Sequence, residues 1–498
     1  MSDAVSKPSL DRRRAGVLLH ITSLPGEAAT GDLGPEAYHF VDFLASAGIS
    51  VWQMLPISPT QSDGSPYQSC SVHAGNPELI SLSLLVKQGL LDQQLIEKRR
   101  LLSQCKEQGI LQAWKTFNAQ PEKFNTDELS RFISENSYWL DDYALYQALH
   151  KEFNDAAWWD WPEALRDRNP QAIAEARARL RRSVDFVCFE QFLFYQQWFE
   201  LKTYANRHGV KLFGDMPIFV AHDSAEVWAR PEFFALNGEG HTQVVAGVPP
   251  DYFSETGQRW GNPLYRWDKL ADDNFSFWID RMKTQLHLFD IIRIDHFRGF
   301  ESYWEIPSSE KHAINGKWVK ALGDELFDKL HEFYDPLPLV AEDLGIITKE
   351  VDVLRKKYGL PGMKILQFAF SGEPDNPYLP YQHPVNAVVY TGTHDNDTTL
   401  GWYLSLDDTT RHYVDEYLGY SKEPMPWPLI RHALASRARL AVIPMQDFLA
   451  LDGAHRMNLP GTMEGNWQWR FDWKQVESDL AERIRHRVVM YNRLESSS

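Results

Sequence analysis

Two residues in the segment 291–300, IIRIDHFRGF, place opposite charges inside an apolar run. Arg293 and Asp295 stand two positions apart. Because side chains alternate across a strand, both are predicted to share one face with Phe297. One interpretation is a structural ion pair. The other is an active-site carboxylate that an arginine holds in place.

Further acidic residues follow the ends of other apolar runs. Asp215 lies in GDMPIFV, Glu342 in LVAEDLG, and Asp395 follows His394 in YTGTHDNDT. Carboxyl groups around one site suit the cleavage of a glycoside with retention, in which one carboxylate attacks the anomeric carbon and a second, protonated carboxyl donates to the leaving oxygen. Nearby negative charge and partial burial raise the pKa of the second group and keep its proton in place.

Each of these residues also has a structural interpretation. Asp215 could fix a turn, Glu342 could accept a hydrogen bond from a loop amide, and the THDNDT segment could cap a helix. His394, Asp395 and Asp397 could bind a divalent cation, although no second histidine stands at ligand spacing. The residues taken singly leave these alternatives open.

The elements that must position these residues alternate between strand and helix patterns. Helices are predicted at 35–48, 276–288, 348–358 and 427–437. Such alternation favours a parallel sheet, and eight strands in 498 residues favour an α/β fold, a (β/α)8 TIM barrel with large, mainly helical insertions. The predicted strands are 15–21, 51–55, 211–220, 291–297, 338–344, 363–370, 387–394 and 440–449.

In such a barrel the carboxyl ends of the strands meet at one mouth, so the acidic residues are expected to converge. Residues 80–208, between the second and third strands, predict a mainly helical insertion. We expect a single catalytic barrel over 1–498, with a loop-rich insertion at 221–275 over the active site. No GxGxxG follows the first strand and no GxxxxGK[ST] occurs, which argues against a nucleotide-binding fold.

Composition narrows the range of partners. The net charge of -17 argues against nucleic acid or an anionic membrane surface, and no apolar run is long enough to span a bilayer. Three widely spaced cysteines and a polar N-terminus without a secretory signal predict a cytoplasmic protein. Aromatic residues make up 13% of the chain, and many stand beside polar residues, as in SPYQS and RWGNPLY. Aromatic faces stack on sugars, so the composition leans towards carbohydrate, with tryptophan-rich cores as the alternative.

The motif sequences and their order closely resemble those of glycoside hydrolase family 77, the amylomaltases or disproportionating 4-α-glucanotransferases of the α-amylase clan. The resemblance runs from about Gly16 to Arg470. Its motifs are LLHITSLPG, GDLGPEAY, SPYQS with AGNPELI, GDMPIFVAHDSAEVWA, GVPPDYFSETGQRWGNPLY, RIDHFRGF, AEDLG, THDNDT, and RMNLPGT followed by GNWQWR.

The resemblance implies a role for each acidic residue. Asp295 would be the nucleophile, Glu342 the acid/base, and Asp395 a third carboxylate that holds the 2- and 3-hydroxyls of the transferred sugar. Arg293 would orient Asp295 and keep it ionised. No metal and no cofactor are implied. The other implied substrate contacts are His394, Asp215, Ser65, Tyr67, Asp251, Gln258, Trp260 and Asn466.

The implied activity is transfer of α-1,4-glucan segments from one maltooligosaccharide to another or to glucose, with retention through a covalent glucosyl-enzyme. An α-amylase-like hydrolase uses the same three carboxylates and is the first alternative. The 252–265 region matches a family loop that covers the acceptor side and excludes water, which favours transfer. A non-catalytic glucan-binding protein is the second alternative, but it is expected to lack one of the three carboxylates.

Overall fold

The computed structural model describes residues 10–26, 28–94, 105–250, 254–462 and 464–494. An eight-stranded parallel sheet has the order β10-β11-β12-β1-β2-β3-β6-β9, so all eight predicted strands are present. The strands, in chain order, are β1 (Arg14–Leu18), β2 (Val51–Gln53), β3 (Lys211–Met216), β4 (Val244–Val248), β5 (Gln258–Pro263), β6 (Ile291–Ile294), β7 (Ser302–Pro307), β8 (Lys317–Lys320), β9 (Leu339–Ala341), β10 (Gly362–Ile365), β11 (Ala387–Tyr390) and β12 (Leu440–Pro444).

A backbone hydrogen bond of 2.9 Å from the amide of Ala341 to the carbonyl of Pro361 joins the two end strands, β9 and β10. This contact brings the sheet round into the predicted (β/α)8 barrel. The side chains alternate between two cores. Phe213, Ile291 and Val442 pack together inside the barrel, whereas Trp52 and Ile292 pack outwards beneath the helices. Strands that are buried on both faces have continuous apolar sequences, which explains why these strands could be predicted from the sequence.

Helices fill the connections, including the long interval between β2 and β3. None of the described helices is both long and apolar enough to cross a membrane. The α-helices are Pro35–Ser46, Leu82–Lys87, Cys105–Ala119, Thr126–Glu135, Ser137–Glu152, Glu163–Arg166, Pro170–Arg179, Arg181–Arg207, Ala225–Ala229, Trp267–Asp272, Ser276–Leu288, Gly323–Phe333, Lys349–Lys357, Thr399–Ser405, Asp408–Tyr417, Trp427–Ala435, Met445–Phe448 and Leu480–Met490.

A second, antiparallel sheet has the strand order β5-β4-β7-β8 and was not among the predicted elements. Two of its strands lie within 221–275, and the other two follow the fourth barrel strand. The strands are short, and β5 (QRWGNP) contains glycine and proline, which are depleted in strands. Pairing with distant segments, which the local sequence does not encode, stabilises this sheet.

One prediction about the fourth barrel strand is wrong. The strand ends at Ile294, and His296 has a φ of 51°, so the chain turns into a short 3-10 helix, Phe297–Phe300. Phe297 therefore leaves the face that carries Arg293. Its ring packs in the outer core, with its centroid 5.7 Å from that of Phe327.

Candidate active site

Arg293 links two carboxylates at the mouth of the barrel. Its Nη1 lies 2.8 and 2.7 Å from the two oxygens of Asp215 and 2.9 Å from Oδ1 of Asp295. Asp215 stands opposite Arg293 in the register of β3 and β6. Burial opposes the charge on Arg293, but the two carboxylates outweigh it and raise its pKa. The side chain of Asp215 is 1% exposed and that of Asp295 is 29% exposed, so Asp215 is the structural partner and Asp295 faces the opening.

A chain of polar contacts leads from this ion pair to His394. The Tyr67 hydroxyl donates to Oδ2 of Asp215 at 2.8 Å and lies 2.9 Å from Nε2 of His394. Because the hydroxyl has a single proton and gives it to Asp215, it must accept a hydrogen bond from His394. Nε2 of His394 therefore carries a proton, and it also lies 3.3 Å from Oδ2 of Asp395.

Asp395 is held as an anion. Its Oδ1 accepts a hydrogen bond of 2.6 Å from Asn458, and its side chain is 47% exposed to the groove. Desolvation works against its charge, but His394 and Asn458 outweigh this effect and lower the pKa of Asp395. The pKa of His394 is raised in return, because Asp395 more than offsets the burial of the ring. Each of the two side chains therefore favours the charged form of the other.

Glu342 follows β9 and has different surroundings. Its Oε2 accepts a hydrogen bond of 2.7 Å from the amide of His296, and its Oε1 accepts one of 2.9 Å from the amide of Leu344. Burial raises the pKa of Glu342 to about 7; Arg293 opposes this shift and Asp295 adds to it. The expected bond to a loop amide is present, and it fixes a carboxyl group whose proton is available near neutral pH.

Three predicted catalytic carboxyl groups, Asp295, Glu342 and Asp395, line one groove of about 1600 Å³, measured to its open mouth. Each follows a different barrel strand, so the closure of the sheet brings them to the same opening. Arg293 lies at the base of the same groove. This arrangement places Asp295 with its arginine partner, Asp395 with a lowered pKa and Glu342 with a raised pKa around a space that fits an extended ligand.

The predicted wall residues differ in how they relate to the groove. Ser65, Gln258 and Trp260 line it, and the Trp260 indole donates to Oε1 of Gln258 at 3.1 Å. The amide of Asn466 instead bonds within its own loop, donating to the carbonyl of Thr462 at 3.0 Å. Asp251 lies outside the described residues.

Sequence reasoning did not single out three residues that contact the predicted ones. Asn458 bonds Asp395, and His296 lies against Trp260 with ring centroids 4.8 Å apart. Trp467 also lines the groove, with its ring centroid 5.9 Å from that of Tyr67. The motifs RMNLPGT, RIDHFRGF and GNWQWR contain these residues. For His296 and Trp467 the available signal was their position next to Asp295 and Asn466, and for Asn458 it was the motif alone.

A buried carboxylate holds both ends of the segment that carries His394 and Asp395. Asp447 accepts hydrogen bonds of 2.6 Å from the hydroxyls of Thr391 and Thr399 and one of 2.7 Å from the amide of Thr399. Since Thr391 and Thr399 flank residues 392–398, one side chain fixes the entry and the exit of this loop.

The structure bears on both alternatives for the segment THDNDT, a helix cap and a metal site. Thr398 caps the helix Thr399–Ser405 by accepting a hydrogen bond from the amide of Gly401 at 3.0 Å, so the cap is separate from His394 and Asp395. Oδ2 of Asp397 lies 3.9 Å from Nη1 of Arg456. In the described part of the chain, no three His, Cys, Asp or Glu side chains converge as metal ligands.

Comparison with known proteins agrees with this arrangement. The family model described as 4-alpha-glucanotransferase, glycoside hydrolase family 77, matches residues 19–475. The 4-alpha-glucanotransferase of Thermus thermophilus is 48% identical over 97% of this chain and 99% of its own, and that of Synechocystis is 46% identical over the same shares. An amylomaltase from Streptococcus agalactiae, solved in complex with acarbose, superposes with a TM-score of 0.94 at 36% identity over 97% of this chain and 100% of its own. The chain belongs to glycoside hydrolase family 77 and is a 4-α-glucanotransferase.

Proposed function

We propose that this 4-α-glucanotransferase moves α-1,4-glucan segments from a maltooligosaccharide donor to a maltooligosaccharide or glucose, with retention at the anomeric carbon. The observation that carries the proposal is the contrast between two carboxyl groups on one groove. Asp295 pairs with Arg293 at 2.9 Å, whereas burial raises the pKa of Glu342 to about 7. A retaining mechanism needs one anion as nucleophile and one proton donor.

In the first step, Asp295 attacks the donor. Arg293 holds Oδ1 of Asp295, and we assign the other oxygen to the anomeric carbon. The bond from that carbon to the leaving 4-oxygen breaks, an ester with Asp295 forms, and Glu342 gives its proton to the leaving oxygen. The amides of His296 and Leu344 then stabilise the carboxylate left on Glu342.

The second step reverses these movements with a new sugar chain. The 4-hydroxyl of the acceptor enters where the leaving chain stood, and Glu342 removes its proton. The acceptor oxygen bonds to the anomeric carbon as the ester to Asp295 breaks. Both carboxyl groups return to their starting states, so the cycle needs no co-reactant.

Asp395 is assigned to the transferred sugar. It is charged, half-exposed to the groove and fixed by Asn458 and His394. A fixed anion of this kind can accept hydrogen bonds from the 2- and 3-hydroxyls and can stabilise positive charge that develops on the ring. Asp447 would act on Asp395 indirectly, by fixing the loop that carries it.

Transfer is preferred to hydrolysis because of the groove wall next to the carboxyl groups. Trp260 and Gln258, on β5 of the antiparallel sheet, offer an aromatic face and an amide for an acceptor sugar. A bound sugar raises the local concentration of 4-hydroxyl and excludes water. The related S. agalactiae enzyme binds acarbose, which supports an oligosaccharide ligand here. The three widely spaced cysteines support a cytoplasmic location, which we propose as well.

Incubation with maltotriose tests the reaction. We expect free glucose and longer maltooligosaccharides to appear while the total number of reducing ends stays constant. A steady increase in reducing ends would establish a hydrolase instead. Unchanged maltotriose would contradict both enzymatic activities and leave glucan binding alone.

The substitution Asp295→Asn tests the nucleophile. Turnover of maltotriose should fall by several orders of magnitude, roughly 10⁴-fold, while calorimetry still detects acarbose binding. Asp408→Asn, at a fully exposed aspartate, is the matched control and should leave turnover unchanged. Turnover retained by Asp295→Asn would show that another group attacks the anomeric carbon.

A further inference from the structure

We propose that Trp318 forms a stacking platform for the glucan chain on the Glu342 side of the groove, beyond the first acceptor sugar. The inference rests on the proposed function, because it assigns a place to the leaving and the accepting chain. Trp318 lies on β8, at one edge of the antiparallel sheet, and lines the groove that contains the three carboxyl groups. Its side chain is 39% exposed, although tryptophan is highly buried on average, and the strand that carries it, KWVK, is otherwise rich in lysine.

Trp318 is held from beneath and from one side. The Cζ atom of Arg298 lies 3.7 Å from the centroid of the indole, so the guanidinium covers one face. Trp304, the partner of Trp318 in the register of β7 and β8, packs edge-on with ring centroids 5.1 Å apart. These contacts fix the plane of the ring and leave its exposed part facing the groove, as a rigid ligand platform requires.

The support beneath Trp318 is connected to both catalytic loops. Arg298 lies three residues after Asp295, is 6% exposed, and donates a hydrogen bond to the carbonyl of Ile346, in the loop that follows Glu342. Arg298 therefore fixes the position of Trp318 relative to Asp295 and Glu342, the two groups that form and break the glycosidic bond in the proposed reaction. Glu342 protonates the leaving oxygen in the proposed reaction, so features joined to its loop lie along the leaving and the accepting chain.

The position of Trp318 relative to Glu342 indicates a sugar beyond the first. His296 and Leu344 contact Glu342 directly, and Trp260 packs against His296. These residues line the groove beside Glu342, and we assign them to the first acceptor sugar. Trp318 is joined to the loop that follows Glu342 through Arg298, which covers the indole and bonds the carbonyl of Ile346, so it lies further from the carboxyl group.

The chemistry of the platform fits a neutral sugar chain. A guanidinium under one face of an indole is already paired, so a second cation on the other face would be repelled. The apolar C–H face of a glucose ring carries no such penalty and suits stacking on an aromatic ring. Ile346, 55% exposed, adds an apolar surface to the same part of the groove. The ligand class is therefore an α-1,4-linked glucan of two or more sugars on the acceptor side.

The test compares acceptors of different length with one fixed donor. We expect Trp318→Ala to leave kcat/KM for glucose as acceptor within about twofold of the wild type and to lower kcat/KM for maltotriose roughly tenfold, the usual scale for loss of an aromatic anchor. Trp318→Phe, which keeps an aromatic face, should retain most of the preference for the longer acceptor. Phe333→Ala, at an aromatic side chain that is 56% exposed on another surface, is the control and should change neither value.

The outcomes separate this inference from the proposed function. Loss of transfer for glucose and maltotriose alike, or an unchanged ratio between them, would overturn the platform while leaving the transferase activity in place. Absence of transfer by the wild-type protein would instead contradict the proposed function. Calorimetry in the Asp295→Asn background gives a second measurement without turnover: Trp318→Ala should weaken binding of maltoheptaose about tenfold, and equal binding would count against the platform.

Discussion

Glu342 and Asp395 line the same groove, yet their surroundings move their pKa values in opposite directions. Both follow a barrel strand, and both accept hydrogen bonds that fix the carboxyl group. Burial raises the pKa of Glu342 to about 7, whereas the pKa of Asp395 is lowered. The difference arises because Asp395 has the ring of His394, whose pKa is raised, beside it and opens to the groove, while the donors to Glu342 are neutral backbone amides.

In the proposed mechanism, this contrast lets one fold maintain a proton donor and an anion around the same sugar. A neutral backbone amide orients a carboxyl group and lowers its pKa only modestly, whereas a neighbouring cation stabilises the anion directly and lowers the pKa more. Arg293 divides its charge between Asp215 and Asp295, which limits its influence on Glu342. The burial of Glu342, together with the placement of one arginine and one histidine, therefore separates the pKa values of the two carboxyl groups.

The largest expected effect comes from removing the proton donor. Glu342→Gln should lower turnover of maltotriose about 10²- to 10⁴-fold, the usual contribution of general acid catalysis. An α-maltosyl fluoride donor needs no proton for its leaving group, so the variant should still form the ester with Asp295. Azide, which needs no general base, should then release an α-glycosyl azide. Failure of azide to speed release would show that Glu342 does not act as the acid/base.

A smaller effect on kcat/KM is expected when the pH is raised above neutral. Since the pKa of Glu342 lies at about 7, the protonated form disappears above this value, and kcat/KM for maltotriose as donor should fall about tenfold per pH unit on the alkaline side. With α-maltosyl fluoride the same profile should stay flat up to pH 9. A parallel fall for both donors would assign the alkaline limb to another group.

The smallest expected effect concerns stability and tests the contrast without turnover. A carboxyl group with a raised folded-state pKa loses stability as pH rises from its unfolded value to its folded value, here from about 4.5 to about 7. The free energy of unfolding of Glu342→Gln, relative to the wild type, should therefore rise by roughly 1 to 3 kcal/mol between pH 4 and pH 8.

The pKa of Asp395 is lowered, so its stabilising contribution is already present above the ordinary value and is lost only in more acidic solution. The difference between Asp395→Asn and the wild type should be unfavourable, and more so at the acid end of the range from pH 4 to pH 8, because the substitution also removes the anion that raises the pKa of the buried His394. Thermal unfolding of both variants across this range provides the measurement. Asp395→Asn that is more stable than the wild type at pH 8 would remove the contrast between the two carboxyl groups.

The sequence by itself determined the barrel and its acidic strand ends. Buried parallel strands are apolar on both faces, so the runs that became β3, β6 and β9 stand out, and a carboxylate that follows such a run must lie at the barrel mouth. The alternation of side chains placed Arg293 and Asp295 on one face, and the 2.9 Å contact between them agrees with it. The same prediction was wrong for Phe297, because the strand ends at Ile294 and the side chains no longer alternate beyond it.

Only the tertiary structure decided how these residues are paired and protonated. That Arg293 shares its charge with Asp215, that Asn458 fixes Asp395, and that Trp318 rests on Arg298 all depend on contacts between segments far apart in the chain. The antiparallel sheet depends on such contacts as well, since its short strands carry little local signal. The resemblance implied different roles for Glu342 and Asp395, but a pKa reflects burial and neighbouring charge, which the local sequence does not contain, so the physical basis for that difference became visible only once the chain had folded.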